Sequence, residues 1–233
     1  MNKIIMVGGS KGGTGKSTVC SAVLDYLESQ GKEPVLIETD TANPDVYKAH
    51  KVSGLTTAIE LDTSEGWIDL VNFADKTRGR PLVINTAARN LTAVTKFGKT
   101  LESTLGELDR ELITLWTINR QRDSLELMAD YLETLPVSDR HVLHVVRNLY
   151  FGEPEKFQLY NDSDSRKRVE AAGGKTIDFP DLADRVADDL VTKRLTIKRA
   201  SEELPIGNRA ELLRWRRLAH QAIGEALPLI HIS

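Results

Sequence analysis

The stretch Gly8-Gly9-Ser10-Lys11-Gly12-Gly13-Thr14-Gly15-Lys16-Ser17-Thr18 decides the reading of this chain. It follows the apolar run Ile4–Val7. It opens a helical pattern, Lys16–Ser29, with Cys20, Val23, Leu24 and Leu27 on one face and Gly31 just past its end. A strand, a glycine-rich turn and a helix N-terminus in that order make a phosphate cradle. The glycines let the backbone curl until successive N–H groups point at phosphate oxygens, and the helix end adds partial positive charge. In such a loop Lys16 reaches the β- and γ-phosphates and Ser17 binds magnesium through its hydroxyl. Gly12, Gly13, Thr14, Gly15 and Thr18 complete the cradle. Ser10 stands where the G-x-x-x-x-G-K-[ST] pattern has its first glycine, so the loop is a variant.

Outward from this loop, short apolar runs alternate with helical stretches. The expected strands are Ile4–Val7, Val35–Glu38, Leu82–Asn85, Leu112–Thr117, Val142–Val146 and Thr176–Phe179. They are rich in Val, Ile and Leu with little polar alternation, as strands covered on both faces should be. The expected helices are Lys16–Ser29, Gly66–Asp75, Thr92–Glu107, Ser163–Ala172, Leu182–Leu190 and Arg209–Leu227. A further helix is opened by Asp123, with Glu126 in capping-box spacing and Pro136 after it. Strand–helix alternation predicts an α/β fold: a doubly wound, mainly parallel sheet with helices on both faces, spanning residues 1–233 as one domain. The polar stretch Gly152–Arg168 reads as a long surface loop.

Composition narrows the function classes. With 31 basic and 34 acidic residues the net charge is −3, which gives no general attraction to nucleic acid or anionic membrane. The single cysteine, Cys20, excludes an internal disulfide and a cysteine-rich zinc site, and its place on an apolar helix face reads as core. His50, His141, His144, His220 and His231 show no metal-ligand spacing. No apolar run reaches membrane-spanning length, and the N-terminal run is too short for a signal peptide, so a cytoplasmic location is expected.

The second lysine in Lys11-Gly12-Gly13-Thr14-Gly15-Lys16-Ser17 resembles the deviant Walker A loop of the ParA/MinD family. The resemblance implies ATP and Mg2+ as ligands, and a homodimer closed by bound ATP. Lys11 would reach across to the partner's nucleotide, and a protein partner would stimulate hydrolysis. Val35-Leu36-Ile37-Glu38-Thr39-Asp40 resembles the strand running into the first switch, where the family has Asp-x-Asp. Glu38 replaces the first aspartate, and Asp40 keeps the second, with the implied role of orienting the attacking water beside the metal. Leu82-Val83-Ile84-Asn85 sits where the Walker B strand ends in aspartate, with the second switch following at Ala88–Phe97. Asn85 can accept a hydrogen bond from a metal-bound water but brings no charge, so slow hydrolysis is expected and Asn85→Asp is expected to raise it. The implied metal set is Ser17, Asp40 and Asn85. Asn148, at the end of Val145-Val146-Arg147-Asn148, and Pro180 and Asp181 of Phe179-Pro180-Asp181 resemble the family's adenine-contacting residues.

Several readings stay open at this stage. The segment Arg147–Gly152 is similar to the StbB/TraL branch linked to plasmid stability and conjugative transfer. A nucleotide-locked scaffold is a second reading, favoured by Asn85. An enzyme like dethiobiotin synthetase is a third, opposed by Lys11, and one cysteine per chain opposes the iron–sulfur relatives. The C-terminal region is locally basic (Lys193, Arg194, Lys198, Arg199, Arg209, Arg214, Arg216, Arg217), and its last helix carries an apolar stripe of Leu212, Trp215, Ala219, Ala222, Ile223 and Ala226. Weak non-specific DNA binding, contact with a membrane, and a terminal helix docked on the sheet all fit that pattern. Docking is favoured, because such stripes usually face a core. Trp67 and Trp116 read as packing residues.

Overall fold

The computed structural model describes residues 2–9, 12–41, 44–51, 55–87, 91–135 and 137–228. Seven strands form one sheet: β1 (Lys3–Gly9), β2 (Val35–Glu38), β3 (Leu55–Ala58), β4 (Leu82–Asn85), β5 (Glu111–Ile118), β6 (His141–Asn148) and β7 (Thr176–Phe179). Their order is β3-β2-β4-β1-β5-β6-β7, and every neighbouring pair is parallel. The strands' side chains alternate between two cores. Ile5, Val7, Leu36 and Val83 face one, while Ile4, Met6, Val35, Ile37, Leu82 and Ile84 face the other. Burial of both sets explains the near-continuous apolar runs.

The first core is covered by α1 (Lys16–Ser29), α2 (Asp45–His50), α8 (Asp184–Thr192), α9 (Ile197–Glu203) and α10 (Ile206–Ala226). The second is covered by α3 (Ser64–Lys76), α4 (Leu91–Glu102), α5 (Arg122–Thr134), α6 (Gln158–Asn161) and α7 (Asp164–Ala171). This is the expected doubly wound arrangement. α1 starts where predicted, after Gly15 in the left-handed region (φ 96°). It ends in a Schellman motif: Lys32 N–H donates to Leu27 O at 3.0 Å and Gly31 N–H to Glu28 O at 3.0 Å, with Gly31 at φ 68°.

The structure departs from the sequence expectations in four places. The edge strand β3 and the short helices α2, α6 and α9 were not anticipated. The cap of α5 is Gln121, whose N–H is held by Asn119 Oδ1 at 3.0 Å, so Asp123 lies inside the first turn rather than opening the helix. α4 stops at Glu102, and a run of turns replaces its expected last part. Gly152–Arg168 is not a loop. It folds as a 3-10 turn (Pro154–Lys156), α6 and the start of α7, pinned by buried Phe157 and Tyr160, with Tyr160 OH 2.6 Å from Thr176 Oγ1.

At the end of the sheet away from the phosphate loop, Arg110 is fully buried. Its guanidinium donates to the carbonyls of Lys3, Ala74, Thr77 and Arg80. At the periphery, every residue of the C-terminal stripe is buried, so α10 is a docked helix. Five of the basic residues in this region are bonded within the fold: Lys193 to Asp189, Arg199 to Glu203, Arg209 to Glu202 O, Arg214 to Glu211 and Arg216 to Asp25. Cys20, Trp67 and Trp116 are core residues, as expected. Among the described residues no group of side chains suits a protein-only metal site, and no helix is long and apolar enough to cross a membrane.

Candidate functional site

In an open parallel sheet the ligand crevice lies beyond the carboxyl ends of the strands, where neighbouring connections diverge. Here that point is the end of β1, flanked by β4 on one side and β5 on the other. A polar cavity of about 330 Å3 opens there, walled by Gly12, Gly13, Lys16, Ser17, Asp40 and Asn85, with Gly15, Asp45 and Thr86 also in the lining. Residues three strands apart in sequence are thus brought to one cradle. Lys11 and Ser10 lie outside the described residues, as do positions 88–90 at the start of the expected second switch.

The loop is shaped by its own glycines and anchored from behind. Gly13 and Gly15 have φ of 81° and 96°, values that any side chain would strain. A Cβ on Gly12 or Gly13 would meet open space, whereas one on Gly15 would collide with Asn148. Thr14 is fully buried. Its hydroxyl lies 3.1 Å from Thr117 Oγ1, which in turn donates to Gly8 O at 2.9 Å. Asn148 Nδ2 donates to Thr14 O at 3.0 Å, and Asn148 Oδ1 accepts from Tyr150 N–H at 3.1 Å. The carboxamide expected beside the base is therefore also a strut of the phosphate loop. Nothing in the motif itself reveals Thr117. Its register opposite Gly9 on β5 is what brings it under the loop.

Lys16 is 8% exposed, and burial lowers its pKa to about 8, with the charge of Asp40 acting in the opposite direction. A desolvated ammonium in a polar cavity is a site built for an anion. Ser17 and Thr18, at the first turn of α1, are exposed to solvent.

Glu38 and Asn85 stand side by side on β2 and β4, and Asn85 lines the cradle. Glu38 is 0% exposed, and burial pushes its carboxyl above the usual range, despite hydrogen bonds from Asp40 N–H, the Asn85 amide and Tyr47 N–H. Asn85 Nδ2 lies 3.0 and 3.1 Å from the two Glu38 oxygens. Asn85 Oδ1 is buried and has no hydrogen-bond partner. Thr39, to which the sequence assigns no role, stitches the two strand ends: its hydroxyl donates to Asn85 O and accepts from Ala87 N–H, both at 3.0 Å.

Beside the cradle, and sharing Ser17 and Asp45 with it, lies a mainly apolar cleft of about 100 Å3. Thr18, Ser21, Val46, Leu182, Leu190 and Trp215 form much of its wall. Trp215 Nε1 donates to Pro180 O at 2.9 Å, and its ring meets Phe179 edge-on at 5.7 Å. Asp181 is exposed, and its pKa is raised by partial burial and by the nearby charges of Asp184 and Glu211.

With this geometry in view, comparison with known proteins is decisive for the family. Residues 5–149 match the model of the CobQ/CobB/MinD/ParA nucleotide binding domain. The chain belongs to this family. It is 54% identical over 220 residues to the protein MobD of Acidithiobacillus ferrooxidans, covering 94% of this chain and 96% of that one. It is 26% identical over 230 residues to the protein TraL of Escherichia coli, covering 93% and 95%. Among solved structures, the MinD cell division protein of Aquifex aeolicus superposes with a TM-score of 0.57 at 13% identity, over 97% of this chain and 99% of that chain. FtsY of Thermotoga maritima superposes with a TM-score of 0.53 at 19% identity, over 75% and 60%. These two likenesses concern the fold, a P-loop nucleotide-binding architecture. The ParA/MinD-like loop read from the sequence thus sits in a ParA/MinD-family domain.

Proposed function

We propose that this chain is a magnesium-dependent ATPase switch of plasmid mobilisation or conjugative transfer, in which ATP closes a homodimer, a protein partner engages it, and hydrolysis resets it. The observation that carries the reading is the cradle itself, where a desolvated lysine, a helix N-terminus and two unobstructed glycines share one cavity with Asn85, whose buried Oδ1 has no partner. Lys16 and the loop N–H groups would hold the β- and γ-phosphates. Ser17, Asp40 and Asn85 would hold the metal ion and its water shell, and the ion would supply charge neutralisation on the phosphates. The donor set is all hard oxygen, which fits magnesium. Asp40, whose N–H is fixed by Glu38 at 3.0 Å, would orient the attacking water. The nucleoside would leave the cradle past Thr18 into the apolar cleft, whose wall includes Trp215, bonded to Pro180 O. Asn148, Pro180 and Asp181 are the residues that would contact the base.

The mobilisation setting is supported by similarity to MobD and TraL. Lys11 would act across the dimer, as the second lysine of the loop implies. DNA contact, if it occurs, would be weak and non-specific at a net charge of −3. A second reading, a nucleotide-locked scaffold with little turnover, is favoured by the uncharged Asn85.

The test is steady-state ATP turnover, with and without DNA, run beside light scattering. Turnover with ATP-dependent dimerisation, both lost in Lys11→Ala while nucleotide still binds, supports the switch. ATP-dependent dimers without turnover support the scaffold. A monomer in all nucleotide states overturns both.

A further inference from the structure

Glu38 and Asn85 lie in register on adjacent strands, Glu38 wholly buried and Asn85 2% exposed. Three donors converge on the Glu38 carboxylate: Asn85 Nδ2, Asp40 N–H and Tyr47 N–H. The nitrogen side of the Asn85 amide is therefore committed, and its oxygen must face elsewhere. That oxygen is buried and unpartnered, and Asn85 forms part of the cradle wall with Lys16, Ser17 and Asp40. A dry, unpaired carbonyl is unfavourable unless a ligand or ordered water completes it. Turning the amide over would set its oxygen against the carboxylate, so Glu38 dictates which end of Asn85 the cradle sees.

We propose that Glu38 is a positioning residue that holds the Asn85 carboxamide with its oxygen toward the cradle, so that this oxygen accepts from the water shell of the divalent cation. The proposal rests on the magnesium–nucleotide reading above. Two residues on two strands then divide the task of one carboxylate: Asn85 makes the contact, and the negative charge sits behind it.

This pairing changes what Asn85→Asp should do. A second carboxylate about 3 Å from the first cannot ionise independently of it, so the pair would share a proton. The single substitution is expected to lower stability without improving turnover. The exchange Glu38→Gln with Asn85→Asp restores a donor–acceptor pair between the two positions. The glutamine oxygen can accept from Asp40 and Tyr47, its amide can donate to position 85, and the charge moves one strand toward the cradle.

The experiment measures ADP affinity by calorimetry in magnesium and in EDTA, with melting temperature alongside, for wild type, E38Q, N85A, N85D and the E38Q/N85D double variant. In wild type, magnesium tightens ADP binding. E38Q and N85A should each lose about tenfold of that tightening while affinity in EDTA stays unchanged. N85D should melt lower and gain nothing, and the double variant should recover the wild-type tightening and melting temperature. Full magnesium tightening in either E38Q or N85A overturns the proposal, as does a double variant no better than its worse parent or a wild type indifferent to magnesium. N85A keeps the test decisive should E38Q not fold. A wild type that binds no nucleotide under any condition would instead overturn the functional reading on which the proposal stands.

Discussion

The side chain of Asn148, at the end of β6, holds the carbonyl of Thr14 at 3.0 Å across 134 positions of sequence. One end of its amide holds the phosphate loop, and the other caps the turn Leu149–Phe151 by accepting from Tyr150 N–H. The Thr14–Gly15 turn of the loop is thus held by the fold itself, which lowers the cost of ordering it around a ligand.

Asn148→Ala should therefore weaken nucleotide binding about five- to tenfold, the worth of one hydrogen bond of about 1 kcal/mol. Asn148→Asp should weaken it further, because a carboxylate would face the Thr14 carbonyl beside bound phosphates. Calorimetric titration with ADP checks both.

Lys16→Ala removes the buried lysine that lines the cradle. ATP affinity should fall by about 100-fold or more, since a charge-assisted contact to phosphate is lost. Because burial already disfavours this ammonium, the melting temperature of the nucleotide-free protein should not fall. Unchanged affinity by calorimetry would remove the phosphate-site assignment.

The clasp between α1 and α10 makes a stability prediction. Asp25, 3% exposed, accepts from Arg216 at 2.7 and 3.0 Å and lies 2.6 Å from His220 Nε2. Asp25→Ala should cost about 3 kcal/mol at neutral pH, read by denaturant titration.

Acid unfolding should come in two windows. Burial, with the charges of Lys175 and Lys3, lowers the His144 pKa to about 4 from 6.5, so the fold holds this ring neutral. The unfolded chain binds the extra proton first, and stability should fall as pH drops from 6.5 toward 4. Burial pushes the Asp25 carboxyl up, but hydrogen bonds from His220 and Arg216 outweigh it and leave its pKa below 3.8. Its contribution is whole above 3.8 and is lost only as pH falls through the lowered value. His144→Asn, which keeps an acceptor for the Lys175 N–H, should shrink the upper window and leave the share of His50, whose pKa burial likewise lowers to about 4. Stability curves at stepped pH check the order.

Trp215→Phe should lower both melting temperature and, several-fold, nucleotide affinity. It removes the bond to Pro180 O, worth about 1 kcal/mol, at the wall of the apolar cleft. An affinity identical to wild type would show that the β7–α8 connection does not serve the nucleoside.

Much of the fold was legible because the buried strands carry their own signal. Val35–Glu38, Leu82–Asn85 and Thr176–Phe179 match the sequence expectation end to end, and so does α1 with its terminal Gly31. β3 escaped because an edge strand is half solvated, and Leu-Thr-Thr-Ala carries neither a long apolar run nor a clear alternation. Gly152–Arg168 misled because its polarity belongs to its surface. Its two anchors, Phe157 and Tyr160, are single aromatic residues in a charged setting. In the site, the phosphate loop announced itself through local spacing. The partnership of Glu38 with Asn85 could not, because it spans 47 positions and depends on strand order. The same holds for Thr117 beneath the loop and Thr39 between the strands.

The buried guanidinium of Arg110 bears on how such a molecule could move. By gathering carbonyls from β1, the end of α3 and the lead-in to β4, it rivets the floor of the sheet at a point where three chain segments meet. Its loss would strand those carbonyls, so this floor resists shear. Any adjustment to a ligand is expected instead at the other end of the sheet, where Asp45 of α2 and Thr86 after β4 line the cradle.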